Sequence, residues 1–135
     1  MAFVWKEDLE TGIEKIDFQH KELFKAVNGL IDACHDNKGF KVIDDTITFL
    51  LNYTISHFNE EEALQQKGGY PDYPNHKKLH EDFRTQAQEL AEKVKVGHSI
   101  DVVMELSRLI GDWLIKHIKK EDKKLGEYLK EKGIK

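Results

Sequence analysis

The sequence predicts an all-α protein, an up-down-up-down antiparallel four-helix bundle with a short C-terminal helix, built as one domain over residues 1–135. Three observations predict it. Apolar residues recur at steps of three and four along four long segments, the 3.6-residue period of a half-buried helix. Only two prolines occur, Pro71 and Pro74, both in the stretch GGYPDYPNH between the second and third segments. No run alternates apolar with polar residues between turn signals, as a strand would. Helices of about 20 residues span roughly 30 Å, and short connections force neighbours to run antiparallel. A chain of 135 residues can bury one core of reasonable size.

In the first segment Ile13, Ile16, His20, Leu23, Val27, Leu30, Ile31 and Cys34 share a face, and Asn37 and Gly39 end the run. The second carries Ile43, Ile47, Leu50, Thr54, His57, Glu61 and Leu64, and stops at Gly68 and Gly69. The third opens at about Asp72, an N-cap residue with Pro74 in the first turn, and runs through His76, His80, Phe83, Ala87, Leu90 and Val94 to Gly97. Ser99 offers the cap of the fourth, which carries Val103, Leu106, Ile110, Trp113 and His117. LGEYLKEKG then reads as the short terminal helix.

A net charge of -4 argues against a nucleic-acid or anionic-membrane partner, since both demand a basic surface. The lysines of KHIKKEDKK alternate with acids, as on a solvated helix face. The N-terminus lacks a basic start followed by an apolar stretch, and no apolar run approaches the roughly 18 residues of a membrane span. A soluble, cytoplasmic protein is expected. Cys34 is the only cysteine, which excludes an intrachain disulfide or a thiolate metal cluster and suits a small buried hydrophobe.

Histidine breaks the apolar stripes. Each long segment places one or two at a core position: His20, His57, His76 with His80, and His117. A single core histidine is ordinarily satisfied by a hydrogen bond, but five converging in one interior would each cost several kcal/mol unpaired. A metal is the economical partner. His76 and His80 lie four apart on one helix face, as do His57 and Glu61, and both spacings let two side chains reach one ion. Five imidazoles and at least one carboxylate exceed the four ligands of a tetrahedral zinc, whereas two octahedral ions sharing carboxylates use them all. Imidazole with carboxylate suits iron. The E-x-x-H pairs of ferritin-like di-iron bundles are missing, because Thr54, Tyr73, Lys77 and Leu114 stand three residues before the histidines. His35 and His98, near helix ends, read as surface residues.

HIKKED, residues 117–122, poses a choice between two carboxylates. On a regular α-helix Glu121, four after His117, shares its face, while Asp122, five after, points about 140° away. Helix geometry favours Glu121.

Together the segments FVWKEDLETGIEKIDFQH, HFNEEEAL, GYPDYPNHKKLHEDF and DWLIKHIKKEDKKLGEYL resemble the hemerythrins, the bacterial hemerythrins in particular, over nearly the whole chain. The combined pattern of H, H-x-x-x-E, H-x-x-x-H and H-x-x-x-x-D is very specific to that family, and a hemerythrin relative is a standard example of the up-down-up-down bundle. The resemblance implies two non-haem iron ions with an oxo or hydroxo bridge. It assigns His76, His80 and His117 to one iron, His20 and His57 to the other, and Glu61 and Asp122 to both. The second iron is then one ligand short of six, and dioxygen takes that position. With Asp122 as the bridge, the helix has to end, tighten or bend between Ile118 and Asp122, and Glu121 is left solvated.

The family's apolar oxygen pocket falls on Leu23, Phe58, Trp113, Leu114 and Ile118, all bulky and apolar here, as water exclusion requires. Each also lies at or near the core stripe of an ordinary bundle. Two positions depart from the pattern. Gln65 stands where bacterial members commonly have methionine, and Gly111, inside the fourth helix, costs about 1 kcal/mol relative to alanine and is expected to leave a gap or path beside Trp113. The resemblance implies a binding protein rather than an enzyme: reversible dioxygen binding for transport, storage or delivery to an oxygen-using enzyme. The alternatives are oxygen or redox sensing through a partner, peroxide or nitric oxide chemistry fed by an electron donor, and a two-zinc or one-metal structural bundle.

Overall fold

The 3.6-residue periodicity is realised as helices in all four segments. A computed structural model of the chain describes residues 3–36 and 39–134. Its helices are α1 (Glu14–His35), α2 (Phe40–Gly68), α3 (Tyr73–Gly97), α4 (Ile100–His117) and α5 (Lys123–Glu131), preceded by a single 3-10 turn at Glu7–Leu9. No strand occurs among the described residues. Asn37, expected to end the first helix, lies outside them. Each long helix packs on two neighbours, α1 and α3 both lying against α2 and α4, which closes the four into a bundle.

The expected signals at Gly69 and Ser99 act, whereas Gly39 starts α2 after α1 has already ended at His35, and Asp72 does not cap α3 with its side chain. After α2, Gly69 adopts the left-handed region at φ 65°, where glycine has no Cβ penalty, and the Tyr70 N–H returns to the Gln65 carbonyl at 2.9 Å. Ser99 caps α4, its hydroxyl accepting the Val102 N–H at 3.4 Å. Asp72 holds the N-cap position of α3, but its side chain accepts no backbone N–H there. Its carboxylate instead accepts from Lys124 Nζ at 3.2 Å and Asn75 Nδ2 at 3.3 Å, joining the start of α3 to α5.

Two apolar clusters result. The larger, built on Leu23, Val27, Leu50, Phe58, Phe83, Leu106, Ile110, Leu114 and Ile118, fills most of the bundle. The smaller joins Ile13 and Ile16 of α1 to Tyr70, Leu125 and Leu129 beneath α5. His20, His57, Glu61, His76, His80, His117 and Asp122 are all buried as well. Cys34, expected to be buried, is only half-buried at the core edge.

No gap opens at Gly111. The Phe3 ring occupies that notch so closely that a Cβ on Gly111 would overlap it. Asn28 clamps the Phe3 backbone from α1, its Oδ1 accepting the Phe3 N–H at 2.8 Å and its Nδ2 donating to the Phe3 carbonyl at 2.8 Å. Sequence reading missed this because the filling ring comes from the N-terminal arm. Gly111→Ala should therefore destabilise the protein, the displaced ring outweighing a propensity gain of about 1 kcal/mol. In a Phe3→Ala background the same change should stabilise by about that amount, which a double-mutant cycle of thermal unfolding measures.

Candidate metal centre

Seven side chains from α1, α2, α3, α4 and the turn after α4 converge into two overlapping groups. One contains Glu61, His76, His80, His117 and Asp122, the other His20, His57, Glu61 and Asp122, with the donor atoms of each group within 4.8 Å of one another. The carboxylates are common to both, and each divides its oxygens between them. Glu61 Oε1 lies 2.9 Å from His76 Nε2 and 3.3 Å from His80 Nε2. Its Oε2 lies 3.4 Å from His57 Nε2 and 3.8 Å from His20 Nε2. Asp122 Oδ1 stands 3.0 Å from His76 Nε2 and 3.1 Å from His117 Nε2, while Oδ2 stands 3.0 Å from His20 Nε2.

These are close approaches of lone pairs more than hydrogen bonds. His20 Nε2, both oxygens of Glu61 and Asp122 Oδ1 are buried without a properly directed hydrogen-bond partner among the described residues. Buried polar atoms are rarely left so, since each orphan costs about 1–3 kcal/mol. Close together yet unpartnered, in two groups that share both carboxylates, they form an arrangement that fits two cations bridged by Glu61 and Asp122. An imidazole and carboxylate donor set without thiolate suits iron.

HIKKED resolves through a change of helix type. From Ile118 to Asp122 the backbone forms a π-turn, in which the Lys123 N–H reaches the carbonyl of Ile118, five residues back. The helix widens there, where ending, tightening or bending was expected. In this wider turn a step of five, not four, returns to the same face, so Asp122 joins His117 in the cluster. Glu121 belongs to neither group. Contrary to expectation it is not solvated: it is 6% exposed, on the flank of the turn beside a shallow depression bordered by Leu79, Trp113 and Lys120.

Residues that no sequence pattern singled out hold the imidazoles from behind. His57 Nδ1–H donates to Gln19 Oε1 at 2.7 Å, and Gln19 Nε2 donates to Glu60 Oε2 at 2.9 Å, itself 2.7 Å from Lys15 through its other oxygen. His80 Nδ1–H donates to Glu62 Oε2 at 2.9 Å. Because an amide oxygen or carboxylate can only accept, each partner fixes the proton on Nδ1 and leaves the Nε2 lone pair for a metal.

The buried charges compensate one another. Burial and the neighbouring Asp122 push Glu61 up, but the imidazoles of His57 and His76 outweigh them and hold it well below the usual carboxylate range. Burial likewise opposes ionisation of Asp122, which His117, His20 and His76 hold well below its ordinary value. Burial lowers His57. Burial also works against a charge on His76, yet Asp122 and Glu61 prevail and raise it to about 10.

Four of the five expected pocket residues, Leu23, Phe58, Leu114 and Ile118, are buried in the larger apolar cluster, and Trp113 is half-buried at its edge. Phe58 stacks on His80 at a centroid distance of 3.8 Å, and Trp113 stacks on His117 at 4.2 Å. Gln65, one turn beyond Glu61 on α2, is fully buried with neither amide atom hydrogen-bonded among the described residues. Gln65→Met, of similar volume, should raise stability by about 1–2 kcal/mol, because it removes an unpartnered buried amide. Thermal denaturation of the iron-loaded protein reads the change. His35 and His98 are exposed, as expected, His98 stacking on Phe40 at 4.8 Å.

A four-helix bundle with buried imidazoles and two shared carboxylates defines a non-haem di-metal protein. Residues 11–129 match the family model of the hemerythrin HHE cation binding domain. The chain is 40% identical over 119 residues to the bacteriohemerythrin of Pseudomonas aeruginosa (strain LESB58), covering 88% of this chain and 76% of the relative. It is 32% identical over 120 residues to the myohemerythrin of Theromyzon tessulatum, covering 89% of this chain and 88% of that one. The crystal structure of a wild-type hemerythrin superposes with a TM-score of 0.85 at 31% identity, over 96% of this chain and 98% of its own. The chain belongs to the hemerythrin family, whose domain binds a di-iron centre. No helix among the described residues is long and apolar enough to cross a membrane.

Proposed function

We propose that the chain binds dioxygen reversibly at a di-iron centre and serves in its transport, storage or delivery to an oxygen-using enzyme. His76, His80 and His117 would hold one iron, His20 and His57 the other, with Glu61 and Asp122 shared. The observation that carries this reading is the asymmetry of the two groups: three imidazoles face one pair of carboxylate oxygens and two face the other. An iron held by His20 and His57 would have one imidazole fewer than its neighbour and would leave room for a small ligand.

When bound, the reduced iron pair supplies electrons that dioxygen takes up on binding and returns on release. The protein's own residues make that exchange reversible. Gln19 and Glu62 orient His57 and His80 through their Nδ1–H protons. Leu23, Phe58, Leu114 and Ile118 exclude water and carry no group that donates a proton to a bound oxygen. That apolar wall favours a carrier over a catalyst.

Stopped-flow mixing of the reduced protein with dioxygen tests the reading. A coloured oxygenated state that persists and reverts under argon is expected. Immediate oxidation without such a state overturns it, and sustained turnover of peroxide or nitric oxide with a reductant would favour enzymatic chemistry. Capture of a protein partner only in the oxygenated state would favour sensing.

A further inference from the structure

We infer that Gln19 is a positioning residue that sets how readily dioxygen leaves, by giving His57 a neutral partner where His80 has a charged one; this rests on the oxygen-binding reading. Four side chains form a ladder across the contact between α1 and α2. Lys15 and Gln19 lie one turn apart on α1, and His57 and Glu60 lie one turn apart on α2. From the buried imidazole outwards, His57 Nδ1–H donates to Gln19 Oε1 at 2.7 Å, Gln19 Nε2 donates to Glu60 Oε2 at 2.9 Å, and Lys15 Nζ stands 2.7 Å from Glu60 Oε1. Glu60 can only accept, so it holds the amide nitrogen and turns the amide oxygen towards His57. Gln19 is buried, whereas Glu60 and Lys15 reach solvent. The negative charge of the ladder therefore stops one side chain short of the imidazole, on a carboxylate already paired with a lysine. Glu62, by contrast, takes the His80 Nδ1–H directly at 2.9 Å.

The two partners differ in what they do to the imidazole. A carboxylate accepting the Nδ1–H draws the proton further than an amide oxygen does and makes the ring a stronger donor through Nε2. A stronger donor favours oxidised iron over reduced. Dioxygen takes electrons from the iron pair on binding and returns them on release, so an iron held by His57 keeps the weaker donor and takes its electrons back more readily. His20 and His76 have no Nδ1 partner among the described residues, so the contrast in hydrogen bonding between the two groups rests on His57 and His80. The neutral partner stands on the side with fewer imidazoles, where there is room for dioxygen.

Exchanging the two residues, Gln19→Glu together with Glu60→Gln, tests this at constant composition and net charge. The carboxylate then meets His57, the amide lies between it and Lys15, and every hydrogen bond of the ladder can still form. Dioxygen dissociation should slow about tenfold, association should change by less than about twofold, and the midpoint potential of the iron pair should fall. A partner that only orients His57 would move none of these, because both acceptors orient it equally. In the zinc-loaded wild type, which needs no oxygen chemistry, the His80 Nδ1 proton should resonate downfield of the His57 Nδ1 proton, and in the exchanged protein the His57 proton should move towards it. Two results overturn the inference: dissociation and potential unchanged by the exchange, or a wild-type His57 proton as far downfield as that of His80. If the exchanged chain does not fold, the wild-type proton shifts decide alone. A protein with no oxygenated state at all would refute the oxygen reading instead, and the potential and the proton shifts would still read the contrast between the two imidazoles.

Discussion

Asp122→Ala should leave the protein unable to hold its iron pair, while Glu121→Ala should retain two irons per chain with an unchanged spectrum. The two residues are neighbours in sequence and both are buried, so exposure does not separate them. Position does. Asp122 is common to both donor groups and offers one oxygen to His76 and His117 and the other to His20. Its loss would take from both groups a carboxylate that lies within 3.1 Å of three buried imidazoles, among the most destabilising kinds of substitution. Glu121 stands outside the cluster. Iron analysis after anaerobic reconstitution reads the difference. The reverse outcome, iron lost with Glu121 and kept without Asp122, would mean that the turn after α4 is α-helical in solution.

Removing the metal should reshape the pH dependence of stability. In the metal-free protein Glu61 and Asp122 are held well below their ordinary values, so their stabilisation is present above the unfolded carboxylate range of about 4 and is lost in acid. His76 is raised to about 10, so its contribution is full below an unfolded value of about 6.5 and drains away as pH rises towards about 10. Burial holds His57 low, so protonating it below about pH 6.5 also costs stability, and the metal-free form should be most stable near about pH 6.5. As a ligand His76 would bind through the lone pair on Nε2, so metal binding would gain strength as that proton is lost. The melting temperature of the loaded protein should exceed that of the metal-free form by a margin that widens from pH 6 to pH 9. A margin that narrows over that range would contradict the assignment of His76 as a ligand.

The helices, their order and the buried histidines were legible because a 3.6-residue period puts core residues at predictable steps, and histidine at such a step is conspicuous. The choice of Asp122 over Glu121 was not legible from local geometry, which assumes a regular helix. A π-turn gives up regular pairing, and what favours it here is tertiary: the convergence of His20, His76 and His117 on one carboxylate. The family resemblance pointed to Asp122, which the structure brings into both donor groups, but through a widened turn where ending, tightening or bending was expected. Gln19 and Glu62 lay beyond reach for another reason, since each holds a histidine of a different helix, 38 and 18 residues away. Both adjoin conspicuous residues, His20 and Glu61, but face other partners. Phe3 in the Gly111 notch is a long-range contact of the same kind, which periodicity along one helix does not encode.

Oxygen stoichiometry tests the central claim most directly. The reduced, iron-loaded protein, titrated with dioxygen while iron and optical absorption are followed, should take up one dioxygen per pair of irons. The same quantity should return under argon over repeated cycles, with no peroxide released. Net oxygen consumption, or uptake that does not reverse, would contradict a reversible dioxygen site held by His20, His57, Glu61, His76, His80, His117 and Asp122.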